Sequence, residues 1–297
     1  MRRHTVAAAG RTLALGERPW LMGIVNATPD SFSDAGAYPD LDARVALARE
    51  LLAAGADIID VGGESQITLR PPVESAEEIE RVVPLVRRLA GELGATVSVD
   101  TYKPAVAEAA IAAGAVIVND VSGLRDPALA DVCAQTGAAL VLMHTRAAPK
   151  QRLQDPCLYD DVVGDALAFL TERIELACAR GVAAEQLILD PGPDFAKTPA
   201  QTIELLSRLR ELHALGRPLL LATSRKDFIG ALTGRAPGDR LAGTLAAIGH
   251  GVDAQDMRPG VHDVAATADF LAVRAALRGE SAVDAALALD DAIRHAR

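Results

Sequence analysis

The sequence predicts a (β/α)8 barrel with a short N-terminal hairpin, in one domain over residues 1–297. Three observations predict it. Short apolar runs alternate with longer helix-patterned stretches along the chain, the pattern of a parallel sheet with right-handed crossovers. Most of these runs stop abruptly at polar or turn residues: Asn26, Gly62-Gly63-Glu64, Asp100, Asn119, His144, Asp190 and Ser224-Arg225-Lys226. Polar groups at the C-terminal ends of successive strands are how such a barrel builds an active site, and the fold needs roughly 250 residues, fewer than are present. The clearest case is Leu187-Ile188-Leu189, which ends in Asp190 and then Pro191-Gly192, residues that stop regular structure.

The elements follow in order. Residues 1–17 carry Gly10 and Gly16 as turn signals and read as a hairpin closing the barrel floor. Leu21–Val25 is the first inner strand, ending at Asn26. The loop 27–36 holds Phe32 and Asp34 among turn residues, which favours a mobile loop covering a substrate over a plain connection. Asp40 caps a helix running to Ala54. Asp57–Val61 is strand two, and Ser75 with Glu78 reads as a capping box for the next helix. Val97–Asp100, Val116–Asn119, Leu140–His144, Leu187–Leu189 and Leu219–Thr223 are strands three to seven, and Pro104 suits the first turn of a helix. A long loop, 145–160, carries Arg146, Lys150 and Arg152, and a helix spans about 161–179. Strand eight must lie near 257–262, although Pro259 and Gly260 both disfavour a central strand. Final helices are expected over 264–278 and 281–296.

The chain carries 30 basic and 40 acidic residues, a net charge of −10. That argues against nucleic acid or an anionic membrane as partner and says nothing against a small anionic substrate. Cys133, Cys157 and Cys178 have neither metal-ligand spacing nor an even count. Cys133 and Cys178 read as small buried hydrophobes. No run approaches the ~20 apolar residues of a membrane helix. The basic start, Met1-Arg2-Arg3-His4, is not followed by a long apolar segment, so no signal peptide is expected and the location is expected to be cytoplasmic.

Asp100, Asn119 and Asp190 would converge at the barrel mouth. Three acceptor-bearing side chains suit a flat heterocycle rich in N–H donors, such as a 2-aminopyrimidinone; a carboxylate there discriminates against analogues that leave it unpaired. Helix capping and internal ion pairing are the alternative for each. Lys226 can offer a donor to the same ring, while Arg225 is the better candidate for a structural pair. Asn26 and His262 are candidates for an anionic leaving group and its metal, since Asn supplies a neutral oxygen to Mg2+. Neither a phosphate-binding loop of the Walker type nor a dinucleotide fingerprint is present.

These pieces together resemble dihydropteroate synthases over about residues 15–280. The matching stretches are Asn26–Asp34, Asp60–Ser65, Ser98–Thr101, Val118–Gly123, Leu142–His144, Leu189–Gly192 with Phe195 and Lys197, Ser224–Lys226 and Val261–Val264. The resemblance implies a barrel that condenses p-aminobenzoate with 6-hydroxymethyl-7,8-dihydropterin diphosphate, releasing pyrophosphate. It implies that Asp100, Asn119, Asp190 and Lys226 hold the pterin and that Met143 lines the same pocket. Asn26 would hold Mg2+ and diphosphate, His262 would meet the phosphates, and Phe195 would pack on the aminobenzoate. Phe32 and Asp34 would lie on a closing loop, with Asp34, Asp100 and Lys226 as the catalytic set. A homodimer through the last helices is implied as well.

Three stretches depart from the family pattern. Glu64-Ser65 is followed by Gln66-Ile67-Thr68-Leu69-Arg70-Pro71 where the family continues Thr-Arg-Pro-Gly. Asp227 follows Ser-Arg-Lys where many members have Ser, which would oppose the aminobenzoate carboxylate unless it turns away or protonates. Gly260 stands where the family has an Arg before Val-His, with Arg258 nearby. These changes leave two further readings: a pterin-binding paralogue without synthase activity or with another second substrate, and a pterin-binding methyl-transfer domain. The Asn26–Asp34 loop and Ser224-Arg225-Lys226 favour a synthase over the latter.

Overall fold

Side-chain alternation along the inner strands decides what fills the barrel. The computed structural model describes residues 3–16, 18–28, 40–64, 71–254, 257–289 and 294, side chains excepted at 257–259. A hairpin comes first, β1 (His4–Ala8) and β2 (Arg11–Leu15), paired antiparallel. Its two-residue turn holds Ala9 and Gly10 at positive φ, 48° and 76°, the twist a tight hairpin needs.

The inner strands are β3 (Met22–Asn26), β4 (Ile58–Gly62), β5 (Val97–Asp100), β6 (Ile117–Asp120), β7 (Ala139–Met143), β8 (Leu187–Asp190), β9 (Leu219–Leu221) and β10 (Met257–Val261). They pair in parallel and in sequence order, and β10 closes the barrel between β9 and β3. The eighth strand thus forms despite Pro259 and Gly260. Parallel pairing of Met257–Pro259 with Leu219–Leu221 and of Gly260–Val261 with Met22–Gly23 holds it in place.

One parity faces the helices. Ile59, Val61, Val97, Val99, Val118, Leu140, Leu142, Leu187, Leu189, Leu219 and Leu221 belong to the outer core. The other parity faces inward. At the lower end it presents Met22, Ile58, Ile117, Ala139, Val141, Ile188 and Leu220, which pack against Val6, Ala8, Leu13 and Leu15 of the hairpin. The hairpin is therefore the barrel floor, as its place in the sequence suggests.

The outer helices are α1 (Leu41–Ala53), α2 (Ser75–Glu92), α3 (Pro104–Ala112), α4 (Ala128–Thr136), α5 (Val162–Ala179), α6 (Pro199–Ser207), α7 (Asp227–Thr233), α8 (Leu241–Asp253) and α9 (Val264–Leu277). Asp40 caps α1 by accepting from Ala43 N at 2.8 Å. The capping box expected at Ser75 and Glu78 does not form: Glu74 is the cap residue, without a side-chain bond, and Glu78 turns inward to Lys103. Asp57 lies just before β4 rather than in it, its carboxylate taken by Arg18 and the Leu21 N–H.

Two other expectations fail. Cys133 is buried but Cys178 is exposed, one position past Ala177 on the buried stripe of α5. Over 281–289 the chain forms turns and irregular structure where the helix expected over 281–296 would begin, and Val283, Leu287 and Leu289 are exposed, with no core face against which an amphipathic helix could gain stability; the remainder of that span, residue 294 apart, lies outside the described residues. Among the described residues no helix is long and apolar enough to cross a membrane.

Candidate active site

The inward parity that is apolar at the floor becomes polar at the C-terminal ends of the strands. Register places Asn26 beside Gly62, Gly62 beside Asp100, and Asp100 beside Asn119. Met143 pairs with Asp190 on the far side. Gly62 leaves space between its neighbours: a Cβ there would lie 3.6 Å from Asp100 Oδ2 and 3.7 Å from Asn26 Oδ1. A neutral and an anionic oxygen therefore converge over one glycine. Among the described residues no group of three or more His, Cys, Asp or Glu side chains is arranged to hold a metal.

Asp190 ends β8 buried, with one carboxylate oxygen accepting from Gly192 N at 2.7 Å. Burial pushes its carboxyl up to about 6, against the pull of the Gly192 N–H and of Lys226 and Lys197. The turn that supplies this N–H admits only glycine. Gly192 has φ +65°, and a Cβ would lie 2.1 Å from the His144 carbonyl oxygen. Lys197, with no exposed surface, pins the same loop by donating to the carbonyls of His144 (3.2 Å), Gly192 (2.8 Å) and Phe195 (3.0 Å). Desolvation lowers its ammonium to about 7.

Lys226 approaches from the end of β9, its Nζ 4.1 Å from the centre of the Phe195 ring, a cation–π contact. Burial pushes its pKa down, while Asp194, Asp190, Asp227 and Asp100 pull it back up. His262 follows β10, and the Ser224 hydroxyl lies 3.0 Å from its Nδ1, fixing the ring. The two loops are joined again by Arg225, which grips Asp263 through Nε (3.1 Å) and Nη2 (2.8 Å). Arg225 is thus a structural pair, as its chemistry suggested.

The structure thus brings Asn26, Asp100, Asn119, Met143, Asp190, Phe195, Lys226 and His262 to one end of the barrel. Phe32, Asp34 and Arg70 lie outside the described residues, as does the Arg258 side chain. His144 is the exception among the polar strand ends. It is fully buried on the helix side, with Nε2 2.9 Å from Asp165 Oδ1 and its ring edge-on to Phe169. Desolvation first, then Lys197, lowers it to about 4, so it packs as a neutral ring.

Asp227 resolves one departure. Its side chain is 73% exposed and pairs with Arg240 at 3.0 Å, while Arg240 also donates to the Arg225 carbonyl at 2.8 Å. The carboxylate is thus balanced by a guanidinium at the surface.

Two features escaped the sequence reading. Asp60, inside an otherwise apolar strand, accepts from Asn119 Nδ2 at 3.1 Å beneath the mouth. Glu64 is a hub: it accepts from Lys103 Nζ (2.5 Å), Tyr102 Oη (3.2 Å) and Val73 N (3.2 Å), while Lys103 also reaches Glu78 and the Val73 carbonyl. Burial opposes its ionisation, but Lys103 outweighs it and the Glu64 carboxyl sits below its usual range. For Asp60 the available signal was parity, since a charge two residues before Gly62 must face inward.

Residues 22–257 match the family model described as pterin binding enzyme. The chain is 42% identical over 262 residues to a dihydropteroate synthase of Bacillus subtilis, covering 88% of each chain. A solved Xanthomonas albilineans dihydropteroate synthase with 4-aminobenzoic acid is 43% identical with a TM-score of 0.85, over 93% of this chain and 99% of that one. The Xanthomonas albilineans enzyme in complex with 7,8-dihydropteroate matches at 42% identity and a TM-score of 0.82, over 92% and 98% of the two chains. With a closed barrel, an inward ring of acceptors and likeness across nearly the whole of each chain, this protein belongs to the dihydropteroate synthase family of pterin-binding enzymes.

Proposed function

We propose that this chain condenses 6-hydroxymethyl-7,8-dihydropterin diphosphate with p-aminobenzoate, releasing pyrophosphate and forming dihydropteroate. The observation that carries the reading is Asp190: a buried carboxylate with one oxygen on the Gly192 N–H, across the mouth from Asp100 and Asn119. Such a carboxylate rewards a ring that brings N–H donors and penalises one that does not. The solved relatives carrying 4-aminobenzoic acid and 7,8-dihydropteroate support the choice of second substrate and product. The Asp227 charge is balanced by Arg240, which eases the repulsion it would set against the aminobenzoate carboxylate and favours a working synthase over a paralogue with another amine.

In this reading Asp100, Asn119 and Asp190 take the polar edges of the pterin, Lys226 donates to its carbonyl or ring nitrogen, and Met143 lines the flat of the pocket. Phe195, held by Lys197 and stacked against Lys226, packs on the aminobenzoate ring. His262, fixed by Ser224, meets the phosphates. The oxygens of Asn26 and Asp100 over Gly62 are a hard donor set that fits Mg2+, an ion that keeps several waters and binds largely through substrate phosphates. Asn26 would hold it there, where it would neutralise charge on the departing diphosphate.

The C–O bond to diphosphate breaks, a C–N bond forms to the aniline nitrogen, and that nitrogen loses one proton. Positive charge developing on the pterin is stabilised by the fixed Asp100 carboxylate and, by resemblance alone, by Asp34. The aniline is already nucleophilic and needs placement more than activation. The whole chain acts as one pterin-binding unit in the cytoplasm. A homodimer through the last helices gains support from the exposed Val273 and Leu277 of α9. Incubation with dihydropterin diphosphate, Mg2+ and labelled p-aminobenzoate is expected to give labelled dihydropteroate; tight pterin binding without product would overturn the synthase reading.

A further inference from the structure

The geometry points to Asp60 as a positioning residue: its carboxylate fixes which way round the Asn119 amide faces the barrel mouth. The proposal rests on the reading of Asn119 as a pterin-binding side chain.

Asp60 lies on the inward parity of β4, in register with Ile24 on one side and Ser98 on the other, two residues below Gly62. Asn119 lies one tier higher on β6, in register with Asp100. The two meet across β5, where the intervening inward residue is the small Ser98. Contact is through Asn119 Nδ2 and Asp60 Oδ2 at 3.1 Å. The barrel floor around Asp60 is apolar, with Ile58, Ile117, Ala139, Val141, Ile188 and Leu220, and Ile117 stands in register with Ser98. A carboxylate placed there pays heavy desolvation, and its polar neighbours, Ser98 and Asn119, are neutral.

Asp60 Oδ1 and the Ser98 hydroxyl are both buried without a hydrogen-bond partner among the described residues. A proton taken up by Asp60 therefore belongs on Oδ1, beside Ser98, and leaves Oδ2 an acceptor. In either protonation state the group facing Asn119 accepts, so the amide must turn its NH2 downward. That commits Asn119 Oδ1 and the remaining N–H to the mouth, an ordered acceptor and donor edge. A flipped amide would set donor against donor at a ring carrying an exocyclic amine, leaving buried groups unpaired.

The test measures calorimetric binding of a 6-hydroxymethylpterin, and of its analogue lacking the 2-amino group, to the full chain. The variants are Asp60→Leu, Ser98→Ala, Asn119→Ala, Asn119→Asp and the exchange Asp60→Asn with Asn119→Asp. Asp60→Leu, which offers the Asn119 amide no acceptor, is expected to weaken the 2-amino ligand by about 10- to 100-fold and the analogue much less, so that discrimination narrows. Ser98→Ala, which leaves Oδ2 untouched, should keep discrimination. The exchange should bind the 2-amino ligand about tenfold better than Asn119→Asp alone, because an amide donor again faces an acceptor. It keeps the volume of both side chains and carries the test if Asp60→Leu fails to fold.

Wild-type discrimination in Asp60→Leu, with binding abolished in Asn119→Ala, would overturn the proposal and leave the pterin reading standing. Equal losses for both ligands in Asp60→Leu and Ser98→Ala would reduce Asp60 to packing. An exchange variant no better than Asn119→Asp alone would overturn it as well. Unchanged affinity in Asn119→Ala would remove the pterin role of Asn119 and the proposal with it.

Discussion

The two ends of the barrel use the same strands and the same inward parity for opposite purposes. At the floor, Ile117 and Ile188 pack against Val6 and Leu13 of the hairpin, closing the interior. Two residues further along the same strands stand Asn119 and Asp190. The register that secures the floor thereby aims the mouth, because a strand cannot shift one end without the other. Stability and recognition are separated by a few ångströms along each strand, and they should separate in experiment.

The largest effect is expected at the mouth. Asp190→Ala removes a charged partner of ring N–H groups and should weaken pterin binding by about 100-fold or more, at about 1.5–3 kcal/mol per lost bond. The same variant should lose little thermal stability, since relief of a desolvated carboxylate offsets the Gly192 N–H left without its acceptor. Calorimetric binding and thermal melting, run together, check both halves. Ile117→Ala is the mirror case. It should cost about 2–5 kcal/mol of folding stability by denaturant titration while pterin affinity in the folded fraction stays at the wild-type value. A large affinity loss there would break the separation.

A smaller effect is expected from pH. The Asp190 carboxyl stands at about 6 in the free protein, raised by burial. Ring N–H donors favour its ionised form, so binding lowers that pKa and takes place with proton release wherever the free carboxyl is protonated. Affinity should be flat above pH 7 and fall by up to about tenfold per unit as pH drops below 6, read by calorimetry across buffers. Asp190→Asn should abolish that slope. The smallest effect belongs to Asp227→Ala: with its carboxylate on Arg240 at the surface, KM for p-aminobenzoate should stay within about twofold of wild type.

Much of this was legible in the chain because apolar runs that stop at a charge mark strand ends. Asp100, Asn119, Asp190 and Lys226 were found that way, and all lie at the mouth. The rule failed where it ignored parity. His144 also closes an apolar run, but Met143 already holds the inward position, so the imidazole points to α5 and pairs with Asp165. Asp60 was passed over for the converse reason: it sits within a run rather than at its end, yet on the inward face. Glu78 matches a local capping motif, but such a motif is a short-range pattern. Its partner, Lys103, is 25 residues away, and only the fold brings them together. The irregular chain over 281–289, where a helix is expected, shows that apolar residues at helical spacing are insufficient without a surface to cover.

The Glu64 hub has a consequence for how this chain tolerates change. Glu64 holds the Val73 N–H while Lys103 holds both Glu64 and the Val73 carbonyl, so the segment between is tied off at its stem. Closure entropy grows only slowly with length, by about 0.6 kcal/mol for each doubling. Residues can therefore be gained or lost between Glu64 and Val73 at small thermodynamic cost, without disturbing β4 or α2. The altered Gln66-Ile67-Thr68-Leu69 stretch falls between these two residues in sequence. Lineages can vary this segment in length and composition while the strand ends at the barrel mouth keep their register.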